Sequence, residues 1–117
     1  MRKIALILVA AAATAFPAQA QRSPYEAHGF EPTWHLTVSR GRIVFESGEG
    51  SQISVLAPAR EPFATGYRYV TSRIVVRIER RECEDDSARV YADTVTVYAN
   101  GRRFLGCGGA VLREPAD

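Results

Sequence analysis

Few side chains in this sequence are of types that carry out acid–base chemistry. His28 lies in a segment that contains proline and glycine, whereas His35 alternates with apolar neighbours and should emerge on the outer face of a strand. The adjacent carboxylates Asp85 and Asp86 could in principle work with His35 in a small hydrolase. Solvated or hydrogen-bonded surface groups explain these residues more simply, and we assign no catalytic residue.

Other kinds of catalytic or cofactor site are excluded by residue types and spacings that the sequence lacks. Lys3 is the only lysine and lies in a segment that we expect to be removed, which rules out lysine-based covalent catalysis in the processed chain. The spacing of His, Cys, Asp and Glu matches neither a zinc site nor a calcium loop, and no glycine-rich phosphate-binding loop is present. We therefore expect no cofactor, no metal and no enzymatic activity.

The first twenty residues have the layout of a secretory signal peptide. Arg2 and Lys3 precede an apolar run over residues 4–13, and Ala18-Gln19-Ala20 forms a small-residue cleavage site. The apolar run is too short to span a bilayer, although an uncleaved N-terminal anchor is the alternative. Cleavage between Ala20 and Gln21 leaves no cysteine at the new N-terminus, so no lipid anchor and no stable membrane insertion are expected.

The two cysteines, Cys83 and Cys107, predict a disulfide, since an even cysteine count in an exported chain indicates cross-linking. Free buried thiols are the alternative. A disulfide would matter here because a domain of this size buries only about two-thirds of its unfolded surface. Closing a loop of about 25 residues is worth about 3.5 kcal/mol by the chain-entropy estimate.

The net charge of the processed chain argues against one class of partner. Removing Arg2 and Lys3 from the 15 basic residues leaves 13, which balance 13 acidic residues. Nucleic-acid-binding domains normally carry a basic excess, so we expect no nucleic acid as a partner. All the remaining bases are arginines, which could bind carboxylates or phosphates, or could reflect codon bias in a GC-rich genome.

Apolar and polar residues alternate with a period of two along most of the chain, which is typical of strands. The pattern predicts six or seven short strands, and Asn100-Gly101 is a strong hairpin signal. We predict an all-β protein, a small antiparallel β-barrel or sandwich with one disulfide. Its divisions are the signal peptide (1–20), an extended lead-in (21–30), one β domain (31–113) and a tail (114–117).

A binding surface is harder to place than the fold. Our candidates are an aromatic residue, a histidine and three arginines at strand or turn positions: Trp34, His35, Arg40, Arg42 and Arg77. Trp34 is in phase with Leu36 and Val38, which favours a place in the core over one on a surface.

Two local patterns together resemble a family of uncharacterised bacterial envelope proteins. The run Gly29-Phe30-Glu31-Pro32-Thr33-Trp34 is similar to the family's G-x-E-P-x-W opening. The family also has a cysteine, an acidic loop, a β-hairpin and a closing G-C-G-G, which correspond here to Cys83, Asp85, Asn100-Gly101 and residues 106–109. The resemblance implies a periplasmic location and a β fold. In size and disulfide use the family is also similar to periplasmic inhibitors of C-type lysozyme, which are small β-barrels.

We therefore predict a monomeric, periplasmic or secreted protein without catalytic activity. Its partner would be an envelope component or another protein. The first alternative is an inhibitor of C-type lysozyme, in which an arginine-bearing turn such as Arg40-Gly41-Arg42 enters a carboxylate-lined cleft. The second is the small hydrolase described above.

Overall fold

The structure is a computed structural model that describes residues 24–48 and 50–116. These residues form ten strands: β1 (Tyr25–Gly29), β2 (Trp34–Ser39), β3 (Arg42–Ser47), β4 (Gln52–Leu56), β5 (Glu61–Phe63), β6 (Gly66–Val70), β7 (Ile74–Glu79), β8 (Cys83–Glu84), β9 (Val90–Ala99) and β10 (Arg102–Arg113). Within these residues, no helix long and apolar enough to cross a membrane is found. The signal peptide predicted over residues 1–20, with its cleavage site at Ala20 and Gln21, lies outside the described residues.

The strands form one antiparallel sheet in the order β4-β3-β2-β1-β10-β9-β7-β6-β5, and β8 also pairs with β9. The sheet curls into a half-barrel whose end strands, β4 and β5, are not paired with each other. The all-β prediction is therefore confirmed, whereas a sandwich of two sheets and a closed barrel are both replaced by a single open, curled sheet. The described residues form ten strands, so the predicted count of six or seven was too low.

Alternating side chains on the concave face of the sheet form the core. Phe45 on β3 and Phe104 on β10 pack edge to face with ring centroids 5.0 Å apart, although two other strands separate β3 from β10 in the sheet. Trp34 lies beside Phe45 and is fully buried. The other core residues come from strands across the sheet, from β4 to β6: Ala27, Leu36, Ile43, Ile53, Tyr69, Ile74, Val76, Ile78, Val95, Val97 and Ala99.

Two tight hairpins have the backbone geometry that their sequences predict. Asn100 and Gly101 have φ angles of 54° and 72°, and Arg40 and Gly41 have φ angles of 54° and 74°. Two successive positive φ angles match the twist of antiparallel strands, which is why glycine is favoured in such turns. The β2–β3 hairpin therefore presents Arg40 and Arg42 on either side of Gly41.

The predicted lead-in over residues 21–30 requires correction, because Tyr25–Gly29 forms strand β1 near the middle of the sheet order. Its concave-face residues Ala27 and Gly29 are small, so the segment lacks the large apolar side chains that reveal a strand. Their size is required by packing: a side chain on Gly29 would collide with the indole of Trp34 and the carbonyl of Leu105. Strand β5 and the two-residue strand β8 were also missed, since proline or charged residues dominate them.

The predicted disulfide is confirmed, with the Cα atoms of Cys83 and Cys107 5.4 Å apart. It ties residues 80–89, which we call the cap loop, to the outer face of β10. Strand β8 within the cap loop also pairs with β9, where Cys83 lies opposite Tyr91. Disulfides persist in oxidising compartments, so this cross-link is consistent with an exported protein.

Candidate functional site

The cap loop carries a histidine–carboxylate pair across the outer face. Nε2 of His28 on β1 lies 3.1 Å from Oδ2 of Asp85, and the two side chains are 19% and 7% exposed. Edge contacts with Tyr91 and Phe30 hold the imidazole ring, at centroid distances of 4.9 and 5.8 Å. These contacts and the disulfide fix the cap loop against β1 and β10.

The environment of Asp85 strongly favours its charged form. Desolvation is the largest single effect and by itself raises the pKa of this carboxyl group. Hydrogen bonds outweigh it: Oδ1 accepts from the Ser87 hydroxyl at 2.7 Å and from the amides of Ser87 and Arg89 at 2.9 and 3.1 Å, while His28 contacts Oδ2. Together they lower the pKa of Asp85 from 3.8 to about 2.

The His28–Asp85 pair supplies only part of a catalytic group. Because the ionised carboxylate can only accept hydrogen bonds, Nε2 of His28 must be the protonated nitrogen. A nucleophilic triad would also need a hydroxyl or thiol hydrogen-bonded to Nδ1, whereas the contact of His28 with Asp85 uses Nε2. The described residues also contain no group of three or more His, Cys, Asp or Glu side chains suited to a metal ion. The pair joins the cap loop to β1.

A recess, which we call the inner groove, opens at one end of the curled sheet. It has a volume of about 770 Å³. Tyr25 on β1 and Tyr67 and Tyr69 on β6 provide its aromatic surface, and the strandless segment 57–60 forms one wall. The amide of Ala57 donates a 2.8 Å hydrogen bond to the carbonyl of Gly41, which ties that wall to the β2–β3 hairpin. Volumes of about 300–1,000 Å³ are typical of ligand sites.

The inner groove combines tyrosine side chains with positive charge. The hydroxyl of Tyr25 donates a 2.9 Å hydrogen bond to Asp93, and burial followed by this bond raises the pKa of Tyr25 above its ordinary value. The guanidinium of Arg60 lies 4.3 Å from the ring centroid of Tyr67, which fixes its position by a cation–π contact. Arg40 lies at the rim, and no described carboxylate forms an ion pair with Arg40 or Arg60.

The structure distributes the five predicted binding residues over different places. Trp34 is only 1% exposed and donates a 3.2 Å hydrogen bond to the carbonyl of Leu105, so it lies in the core, the place that its phase with Leu36 and Val38 favoured. Arg40 lines the inner groove, whereas Arg42 lies beyond it on the same hairpin. Arg77 lies on the outer face of β7, over the ring of Phe63 and 3.6 Å from Glu79.

His35 lies on the outer face of β2, where it is exposed and directly opposite His28. The carboxylate that we had considered as its catalytic partner, Asp85, is instead bonded to His28. The structure therefore does not assemble the acid–base pair that the hydrolase alternative requires from His35.

Two residues of these sites, Tyr25 and His28, were not predicted as site residues from the sequence. Both lie in the segment interpreted as a lead-in. Their partners, Asp93 and Asp85, are 68 and 57 residues away along the chain. The alternation of Tyr25, Ala27 and Gly29 was the one available signal, and it is weak because two of these residues are small.

No protein-family model, no curated protein and no solved structure matches this chain.

Proposed function

We propose that this protein is a non-enzymatic binding module of the bacterial envelope that holds an anionic, ring-bearing envelope component in the inner groove. The observation that carries the proposal is the convergence of three tyrosines and two arginines on one recess. Aromatic faces bury ring-shaped ligands at low entropic cost, and guanidinium groups bind carboxylates through two parallel hydrogen bonds. Export of the chain rests on its N-terminal pattern and on its disulfide.

Charge in the inner groove favours an anion. Glu26 is the one carboxylate among the described lining residues, which also include the two arginines Arg40 and Arg60. Arg60 is already ordered on the ring of Tyr67, so less side-chain entropy is lost when a ligand binds it. A saccharide that carries a carboxylate, such as a muramic-acid unit whose lactyl carboxylate is free, has the required combination of ring and charge.

The test compares two ligands that differ in charge. Soluble muramyl fragments carry a carboxylate, whereas chito-oligosaccharides present similar rings without it. A ligand that binds only the folded state stabilises it by about 2.7 kcal/mol at a hundredfold excess over its Kd. We expect muramyl fragments to raise the melting temperature and chito-oligosaccharides to have a much smaller effect.

The β2–β3 hairpin provides a matched pair of variants. Arg40→Ser should abolish the shift, because Arg40 lines the inner groove, and Arg42→Ser should retain it. Both residues are exposed, so neither change should impair folding. A shift with muramyl fragments that survives Arg40→Ser, Arg60→Ser and Tyr67→Ala would refute the assignment of the groove, and the absence of any shift would refute the ligand class.

Inhibition of C-type lysozyme is the second candidate, and the shape of the same hairpin favours it. The turn at Arg40 and Gly41 places two exposed arginines, Arg40 and Arg42, at one end of the β2–β3 hairpin, where they could bind the carboxylates of the lysozyme cleft. In this case Arg42→Ser should weaken inhibition as much as Arg40→Ser does. A direct assay with lysozyme discriminates, and no inhibition at micromolar protein would eliminate this candidate.

A further inference from the structure

A second recess, which we call the outer cavity, lies on the opposite face of the sheet from the inner groove. Its volume is about 320 Å³. Phe30 and Leu105 contribute apolar walls, and the cap loop, including Arg81, closes the other side. Cys107 and Thr96 lie in the floor of the cavity. Phe30 and Leu105 are 44% and 55% exposed, so large apolar side chains surround an open recess.

Apolar side chains continue from the outer cavity along the outer face. Tyr98 on β9 is 44% exposed and lies directly opposite Val75 on β7, which in turn lies opposite Val70 on β6. Leu105 belongs to the neighbouring position on β10, opposite Thr96. Residues two apart on a strand share a face, so these side chains form a strip across the outer face in which Leu105 is the diagonal neighbour of Tyr98. Contiguous exposed apolar surface indicates an interaction site.

Positive charge lies at the far end of this strip. A further groove of about 460 Å³ is lined by Arg73, Arg103 and Tyr98. Neither Arg73 nor Arg103 forms an ion pair with a carboxylate among the described residues. The acidic groups Glu84 and Asp86 lie instead at the opposite end, on the cap loop beside the outer cavity.

We propose that the outer face docks an extended acidic segment of a partner protein. An apolar side chain of the partner enters the outer cavity between Phe30 and Leu105. Acidic side chains of the same segment then reach Arg103 and Arg73. A buried apolar anchor with charged contacts at the rim is the usual distribution of binding energy in a protein interface.

The recess favours a protein over an anionic membrane surface. An apolar side chain on a defined backbone can fill a walled recess, whereas a fluid lipid surface offers no such projection. Charge also changes along the outer face, from the acidic residues of the cap loop at one end to Arg103 and Arg73 at the other. Positions 103 and 105 on β10 are separated by about 7 Å, so acidic residues should follow the anchor after two to four positions of extended chain.

The test is selection of a phage-displayed random peptide library on the purified protein. We expect enriched peptides with one large apolar residue and acidic residues two to four positions from it. Synthetic peptides of the enriched sequence should bind at least tenfold more weakly to Leu105→Ser and to Arg103→Glu. Leu56→Ser and Arg42→Glu are the matched controls, since both residues are exposed but lie outside this surface, and they should bind as the unmodified protein does.

Circular dichroism and thermal melting establish that each variant is folded. An enriched consensus without acidic residues, the absence of any consensus, or full binding by both outer-face variants would overturn the proposal. Vesicles of mixed phosphatidylglycerol and phosphatidylcholine provide the competing partner. If no acidic peptide is enriched and the same two variants lose vesicle binding, the surface recognises lipid and the proposal is overturned.

Discussion

Replacing Asp85 by Asn should make the protein less sensitive to acid. In the native structure this carboxylate accepts hydrogen bonds from Ser87 and from the amide of Arg89, and it contacts His28. The amide of an Asn can keep some of these bonds, but it carries no charge and cannot titrate. The substitution therefore removes the pH dependence of this site while largely preserving its shape.

The expected magnitude follows from the pKa. Folding lowers the pKa of Asp85 from 3.8 to about 2, and each pKa unit corresponds to about 1.4 kcal/mol, so the ionised group contributes about 2.5 kcal/mol at neutral pH. A carboxyl group whose folded-state pKa is depressed contributes stability that is fully present above its unfolded pKa. This contribution is lost as the pH falls from about 4 through about 2.

Urea denaturation at pH 7 and at pH 2 measures this contribution. The free energy of unfolding of the unmodified protein should fall between these pH values by about 2 kcal/mol more than that of Asp85→Asn. Asp86→Asn is the control, because Asp86 is exposed and adjacent and the substitution changes the charge equally. If Asp85→Asn loses as much stability in acid as the unmodified protein and Asp86→Asn, the hydrogen bonds at the cap loop do not stabilise the charged carboxylate as argued.

Three further predictions concern the cross-link, the core and the N-terminus. Replacing both Cys83 and Cys107 by Ser should lower the free energy of unfolding by about 3.5 kcal/mol, measured by urea denaturation without reductant. An unchanged value would mean that the segment between these positions is already ordered in the unfolded chain without the cross-link. Phe45→Ala should cost about 3–5 kcal/mol in the same measurement, because the ring is fully buried against Phe104 and Trp34; a cost below about 1 kcal/mol would contradict this packing. Intact-mass analysis of protein recovered from the envelope of a bacterial host should show a chain that begins at Gln21, and a full-length mass would contradict export by cleavage.

The two proposed surfaces are independent, because they lie on opposite faces of the same sheet. The inner groove depends on concave-face tyrosines, and the outer cavity depends on residues such as Leu105 that face away from the core. Arg40→Ser should therefore leave peptide binding intact, and Leu105→Ser should leave the muramyl-induced shift intact. Loss of both activities in either variant would indicate altered folding and not a lost contact.

Much of the fold could be predicted from the sequence because strand signals are local. Ile74, Val76 and Ile78 recur at every second position of β7, and all three are buried on the concave face. Such alternation reports burial on one face of a pleated strand, which needs no knowledge of the neighbouring strands. The Asn100-Gly101 turn and the disulfide were also predictable, since both depend on residue type and spacing alone.

The candidate sites could not be predicted in the same way. Arg40 and Arg42 have the same residue type and flank the same glycine, yet only Arg40 lines the inner groove, because the two residues lie at different positions around the hairpin. Phe104 on β10 packs against Phe45 on β3 because the sheet curls, although the alternation of neither strand identifies the other as its partner. Local pattern does not report which distant strand will cover a given face.

The sequence by itself therefore determined most of the strand-forming segments, the tight turns and the cross-link, because alternation, positive φ angles and cysteine pairing are properties of short segments or of residue type. The tertiary structure alone decided that Tyr25 meets Asp93 and that His28 meets Asp85. Both contacts join β1 to residues more than fifty positions away. The first forms because β1 pairs with β10, and the second forms because the disulfide holds the cap loop over β1. Neither arrangement leaves a signal in the local order of residues.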